Sequence, residues 1–301
     1  MEKKVMKNRF TKVMVAILMI TLIIGVIPCK IAVMAASDES ISTIVMDKPP
    51  FQYYKSGKVK NKKNQSIQLK LKSSKANQIT DDENWFKKNK LSMKQYEVPN
   101  PFADTFGNLP EKIDTYYEDL IITSAFYDES YIYCTYGSDF SEGYILNIYN
   151  AKSLKKVYSF DFTKYRYSPK YVKADYDYIQ QKVNWATIKD NILYVSHGHD
   201  TYAKSSKQMN AYITAIDLSD MSILWRTNAL VSNSYNFTLI NDVIICGYGF
   251  TAEPDYLYQI DRNNGKVLKK SLLKSAPYYI IQKGKNLYVR TYNTDYVFGI
   301  N

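Results

Sequence analysis

Asp255-Tyr256-Leu257-Tyr258-Gln259-Ile260-Asp261-Arg262-Asn263-Asn264-Gly265-Lys266-Val267-Leu268 reads as a strand, a tight turn and a second strand. Alternating side chains define the first strand, and Asn264-Gly265 supplies the turn chemistry. The Tyr-led strand recurs at Tyr144-Ile145-Leu146-Asn147-Ile148-Tyr149, at Tyr212-Ile213-Thr214-Ala215-Ile216-Asp217 and at Tyr296-Val297-Phe298-Gly299-Ile300-Asn301. Two apolar strands precede each copy. The nearer ones, Tyr131–Cys134, Ile192–Val195, Val243–Cys246 and Leu287–Val289, start 61, 51 and 44 residues apart. An outer strand follows the first three copies, at Lys156–Tyr158, Ile223–Trp225 and Val267–Lys269. Periods of that size, with four strands each, signal propeller blades. The expected fold class is therefore all-β: a β-propeller-like array of about four four-stranded blades over residues 116–301. The frequent Tyr, 29 against 11 Gly and 9 Pro, suits a pleated, half-buried surface.

A period of two places Tyr144, Leu146 and Ile148 on one face of the strand, as it does Tyr212, Thr214 and Ile216. The opposite face is smaller or more polar at its centre: Asn147, Ala215, Gln259, Gly299. A large face against a small one lets neighbouring blades nest. No blade covers both of its faces alone, so the array is stable only when stacked.

The repeat resembles the PQQ-like repeat of quinoprotein-type β-propellers. The resemblance lies in Asn286-Leu287-Tyr288-Val289, in the Tyr-x-x-x-Ile-Asp…Gly-Lys-x-Leu element at 256–268, and in Trp225 at the end of Ile223-Leu224-Trp225. It covers roughly residues 116–301 and implies a propeller fold. That family includes dehydrogenases, assembly scaffolds and binding proteins. Its quinone enzymes carry an adjacent Cys pair beside the cofactor, and this chain has none, so no cofactor is carried over.

Residues 1–36 read as a secretory signal peptide. Lys3, Lys4, Lys7, Arg9 and Lys12 precede an apolar run from Val13 to Pro28, and Val33-Met34-Ala35-Ala36-Ser37 offers a peptidase site. The run is shorter than the ~20 residues of a spanning helix. Cleavage near Ala36 is expected, with an uncleaved anchor as the alternative. Residues 37–115 read as an irregular Lys-rich arm. The stretch 55–94 holds twelve Lys against three acids, Asp81, Asp82 and Glu83, within a chain whose net charge is +11. Low hydrophobicity with high like charge disfavours an independent core. The last repeat stops at Asn301 without an outer strand. A segment N-terminal to the first repeat, with Ile67, Leu69 and Leu71, is expected to pair at that edge.

Few residues suggest chemistry. His197 and His199 in Ser196-His197-Gly198-His199-Asp200 would share a side of a strand and could hold a metal with Asp200. However, His197 aligns with Tyr136, Tyr248 and Thr291, a structural slot, and Tyr is expected to be tolerated there. Asp175-Tyr176-Asp177 and Asp81-Asp82-Glu83 lack the spaced oxygen ligands of a Ca²⁺ loop. Asn236-Phe237-Thr238 matches a glycosylation sequon and receives no role. Cys134 and Cys246 occupy equivalent repeat positions and are expected to be buried free thiols, with Cys29 in the leader. No catalytic, cofactor-binding or metal residue is assigned.

The functional expectation is a secreted or cell-surface, non-enzymatic binding protein or scaffold that recognises a macromolecule, protein or polysaccharide. The loops Gly137–Tyr144 and Gly198–Tyr212 would form part of its recognition surface. The alternative is an extracellular hydrolase or lyase whose site is formed by blade loops. The Lys-rich arm is expected to favour an anionic envelope polymer, without nucleic acid, and with membrane contact only through an uncleaved leader.

Overall fold

The computed structural model describes residues 41–59, 64–78, 82–167, 174, 179–199, 206–251 and 253–301. The leader, Asp81, Asp175-Tyr176-Asp177 and Asp200 lie outside them. Chain order begins with β1 (Ile44–Val45), β2 (Tyr53–Tyr54), β3 (Leu69–Ala76), α1 (Asp82–Asn89), β4 (Gln95–Tyr96) and β5 (Tyr116–Tyr117). The repeats follow. Sheet one holds β6 (Leu120–Tyr127), β7 (Tyr131–Gly137), β8 (Ile145–Asn150) and β9 (Lys156–Asp161). Sheet two holds β10 (Lys182–Lys189), β11 (Ile192–Gly198), β12 (Tyr212–Asp217) and β13 (Ser222–Arg226). Sheet three is β14 (Thr238–Ile240), β15 (Val243–Phe250), β16 (Glu253–Asp261) and β17 (Val267–Leu272). Sheet four contains β18 (Pro277–Lys283), β19 (Asn286–Thr291) and β20 (Thr294–Ile300). All pairs of consecutive repeat strands within a sheet are antiparallel. The protein is an all-β, propeller-like array of four blades.

Period two explains the stacking. On β12, Tyr212 and Ile216 join a core shared with Leu146, Ile148 and Phe160 of sheet one. Ile213 and Ala215, on the other face, join a core shared with Ile244, Cys246 and Ile260 of sheet three. Leu257 of sheet three then meets Ile280, Leu287 and Val289 of sheet four. Each middle blade is thus apolar on both faces, as a stacked array requires. Trp225 is fully buried, and its indole Nε1 donates to the carbonyl of Arg262 in the next blade's turn. Gly265 sits in that turn at φ +70°, and a Cβ there would stand 2.5 Å from Trp225 Cε3. Both the backbone angle and the Trp ring therefore demand glycine.

The arm is more regular than its composition suggests. It travels along the outer edges of the blades. β1 pairs in parallel with β9, and β2 pairs antiparallel with β13. At sheet three, Asn64 donates from its backbone N–H and its side chain to the Asp261 carboxylate. The Gln259 side-chain amide exchanges hydrogen bonds with the backbone of Ile67. β3 then pairs antiparallel with β20 from Leu69↔Ile300 to Thr294↔Ala76 and is the fourth strand of sheet four. The physical reason is that outer edges present unpaired N–H and C=O groups. A charged segment that satisfies them needs no core of its own. It lends Met46, Ile67 and Trp85 to the array's burial instead. Its Lys charge is partly matched, since Lys58 Nζ binds Asp217 and Asp220 at 3.0 and 2.5 Å.

Residues 82–117 contact both sheet four and sheet one. α1 has Asp82 and Glu83 in its first turn and Lys87 and Lys88 in its last, which complements the helix dipole. Its Trp85 and Phe86 pack on Tyr279 of β18. The chain then adds β4 to β6 and packs Ile113, Tyr96 and Val98 on the free face of sheet one.

Candidate binding site

Two cavities lie beside the first strands of the blades. One, about 400 Å³, is bounded by β6, β10 and β18 and by the loop that leads into β14. Its wall is mostly neutral and polar. Thr123 and Ser124 share hydroxyl contacts with Thr135 at 2.9 and 2.7 Å, and Asn184 and Gln95 complete that side. Glu142 also faces it, buried and ion-paired with Arg166, whose guanidinium lies 4.2 Å over the Tyr144 ring. Glu142 and Phe140 come from the Gly137–Tyr144 loop that the sequence nominated, and both line this cavity.

The second cavity, about 550 Å³, opens between sheets three and four. Asn233 and Tyr235 line both cavities. Tyr235 is 45% exposed. Its ring stacks on Tyr278 at 5.2 Å and meets Tyr279 edge-on at 5.3 Å, and Tyr279 stacks in turn on Trp85. Its backbone N–H donates to the carbonyl of Tyr278. Asn233 holds the loop in place by clasping the backbone of Gly249 from both sides. The far wall carries Asp255, Lys274, Ser275 and Tyr292, the last 53% exposed.

Asp255 is the titratable group set apart in this cleft. Burial, and then the neighbouring Glu253 carboxylate, push its pKa up to about 6. Its Oδ1 is buried without a hydrogen-bond partner. The same oxygen packs on Gly249, where a Cβ would stand 2.0 Å away. Glycine at 249 is what makes room for the acid. The described lining of the two cavities contains no His and no Cys.

His197 lies elsewhere, wholly enclosed between sheets one and two. Its ring sits 4.8 Å from both Phe162 and Tyr165 and 5.5 Å from Tyr212. Both ring nitrogens lack hydrogen-bond partners. Burial, with Arg226 and Lys48 adding to it, holds its pKa well below the ordinary histidine value. The alignment suggested that Tyr would be tolerated at 197, where the His197 ring is 1% exposed. His199 instead engages Asn210, which accepts from its backbone N–H and donates to its carbonyl. Arg226 is 4% exposed and is sandwiched at 3.8 Å by Phe51 of the arm and at 3.8 Å by Tyr212. From the second nominated loop, residues 200–205 lie outside the described residues. Met209 accepts from Gln181 Nε2, and Asn210 is the His199 partner.

Sequence reasoning missed the site's main residues. Tyr235 sits in a loop that carries no repeat signal, and Tyr278 read as an ordinary strand residue. Asn236 of the sequon is buried and pairs through its side-chain amide with the backbone of Ile280, so it joins sheets three and four. Cys134 and Cys246 are buried free thiols.

No protein-family model and no curated protein matches the chain. Solved structures similar to it include Sqt1 of Saccharomyces cerevisiae, at 10% identity and TM-score 0.39, over 57% of this chain and 42% of that one. Hydrazine synthase of Kuenenia stuttgartiensis is similar at 14% identity and TM-score 0.36, over 53% and 46%. BamB of Moraxella catarrhalis is similar at 8% identity and TM-score 0.27, over 60% and 67%. The chain thus spans less than half the length of the first two. The four-sheet architecture follows from the strand pairing itself.

Proposed function

We propose that this chain is an exported, non-enzymatic β-propeller of the PQQ-like repeat class that binds a macromolecule at the cell surface. The observation that carries the reading is the pair of cavities that share Asn233 and Tyr235 as lining, walled by amides, hydroxyls and a row of tyrosines. Such a concave, pre-formed, aromatic-lined site suits binding. The lysines of β3, with Lys70, Lys72 and Lys75 exposed, would add attraction to anionic envelope polymers that weakens with salt. The test is co-sedimentation of the protein lacking residues 1–36 with purified cell envelope. Tyr235→Ala is expected to abolish most of it, and rising salt to remove the remainder. Unchanged sedimentation of the variant overturns the reading. N-terminal mass spectrometry of the native protein is expected to begin near Ser37, and an intact Met1 would replace export by anchoring.

A second reading draws on Asp255. A carboxyl raised toward neutrality beside Glu253 is a feature of general acids, and it supports the alternative of an extracellular hydrolase or lyase. Release of soluble fragments from envelope polymers, lost in Asp255→Asn, would favour it.

A further inference from the structure

We infer that the cleft between sheets three and four is a subsite for an uncharged saccharide, which stacks a sugar ring on Tyr235 and engages sugar hydroxyls through Asp255 and Asn233. This names the ligand class of the proposed binding site and rests on that reading.

A sugar ring has apolar C–H faces and a rim of hydroxyls. It needs a flat, rigid, half-exposed aromatic surface with hydrogen-bonding groups at its border. Tyr235 supplies the surface. Tyr278 stacks on it, Tyr279 meets it edge-on, and its backbone is tied to Tyr278. A ring already immobilised loses little entropy when a ligand lands on it. The border is supplied by Asp255, Ser275, Thr251 and Asn233. Asp255 accepts a hydrogen bond from a sugar hydroxyl, and an ionised carboxylate makes that contact charge-assisted.

Charge decides against other ligands. Lys274 is the one cation among the described residues that line the cleft, and Asp255 stands in the same wall. Glu253 adds a second negative charge nearby. A phosphate polymer or nucleotide would meet repulsion there. A purely apolar ligand would leave the Asp255 carboxylate without a partner. The uncharged polyol satisfies both surfaces. Size agrees, since the cleft's 550 Å³ falls within the usual range for ligand sites. Because Tyr235 also lines the 400 Å³ cavity, a chain of several sugars can cross the ring and continue toward Asn184 and Thr123.

The experiment is isothermal titration of the protein lacking residues 1–36 with maltohexaose, cellohexaose, xylohexaose and chitohexaose, with polyphosphate as the charged probe. At least one uncharged hexasaccharide is expected to bind. Tyr235→Ala should weaken that binding about tenfold or more with the melting temperature unchanged, and Asp255→Asn should weaken it several-fold. Tyr116→Ala, an exposed tyrosine outside both cavities, should leave it unchanged. If Tyr235→Ala proves unstable, Tyr292→Ala on the opposite wall gives the same readout. Failure of all four hexasaccharides to bind overturns the inference, as does binding that survives Tyr235→Ala or Tyr292→Ala. Binding of polyphosphate alone overturns it too. If no saccharide binds yet Tyr235→Ala still abolishes envelope sedimentation, the saccharide class falls and the binding reading stands. If a saccharide binds through Tyr235 while sedimentation ignores that substitution, the reverse holds.

Discussion

Where sheets one and two meet, the chain leaving β9 lays Phe162 and Tyr165 against His197. Where sheets three and four meet, the chain leaving β17 brings Ser275 to Thr291, the residue that aligns with His197, with a 2.7 Å hydroxyl contact. The first junction is filled by rings and sealed by the arm, since Phe51 and the Pro49 carbonyl close over Arg226. At the second, Asn77 of the arm donates from its side chain to the Thr291 carbonyl. A 550 Å³ cleft remains beside it. Equivalent positions in a repeat thus give a core or a site, depending on side-chain volume and on whether another segment arrives to cover them. The filled junction carries a cost. Lys48 is half-buried within the field of the buried Arg226, and burial, then Arg226, lowers the Lys48 pKa to about 8. The aromatic faces and backbone carbonyls offset that repulsion.

The largest expected effect comes from opening the filled junction. Arg226→Ala should cost about 3 kcal/mol in denaturant unfolding, because it removes two ring contacts and a hydrogen bond and leaves a cavity. Arg226→Met, which keeps the volume without the charge, should cost less. If Met is as damaging as Ala, the guanidinium itself and not the packing holds the arm. Deletion of residues 37–115, which removes β3 and α1 as well, should abolish cooperative unfolding; a retained sharp transition would show that the blades stand without the belt.

Closing the open junction is the next test. Gly249→Ala would place a methyl 2.0 Å from Asp255 Oδ1 and 2.7 Å from the Ala276 Cα. Overpacking of this kind costs about 1–3 kcal/mol, and ligand capture should fall with it. Unchanged capture would mean that Asp255 does not need its present position.

pH separates the two junctions by sign. His197 is neutral in the folded protein and has its ordinary value when unfolded. Its contribution is complete above that ordinary value and is lost as pH falls below it, by up to about 1.4 kcal/mol per pH unit. Below pH 7 Lys48 is protonated in both states, so it adds no slope there. Asp255 acts oppositely. Its folded pKa is raised to about 6, so stability is lost as pH rises from the ordinary carboxylate range to that value. Stability curves of His197→Phe should be flatter below pH 6.5. A slope that persists would assign the acid limb to other groups.

Asp255→Asn should give the smallest effect, a gain under about 1 kcal/mol at pH 7, since the partly solvated site screens the carboxylate. Its pH curve should steepen between pH 4 and 6, because the His197 limb is then unopposed. A loss of stability instead would mean that the carboxylate is paired in solution.

The chain's own order of residues determined the array. Alternation in the Tyr-led strands, the recurring spacing and the Asn264-Gly265 turn are local signals, and local signals are what a linear sequence displays. The same reading found Trp225 and Gly265, yet only the folded blades bring them together across 40 residues of chain. The arm looked irregular because its composition cannot build a core alone. Tertiary structure alone showed that it pairs with the outer strands of sheets one, two and four instead. The tyrosine cleft was hidden for a related reason. Tyr235, Asp255, Tyr278 and Tyr292 stand on separate loops and strands of two blades. Their meeting depends on how those blades pack, which no local pattern records.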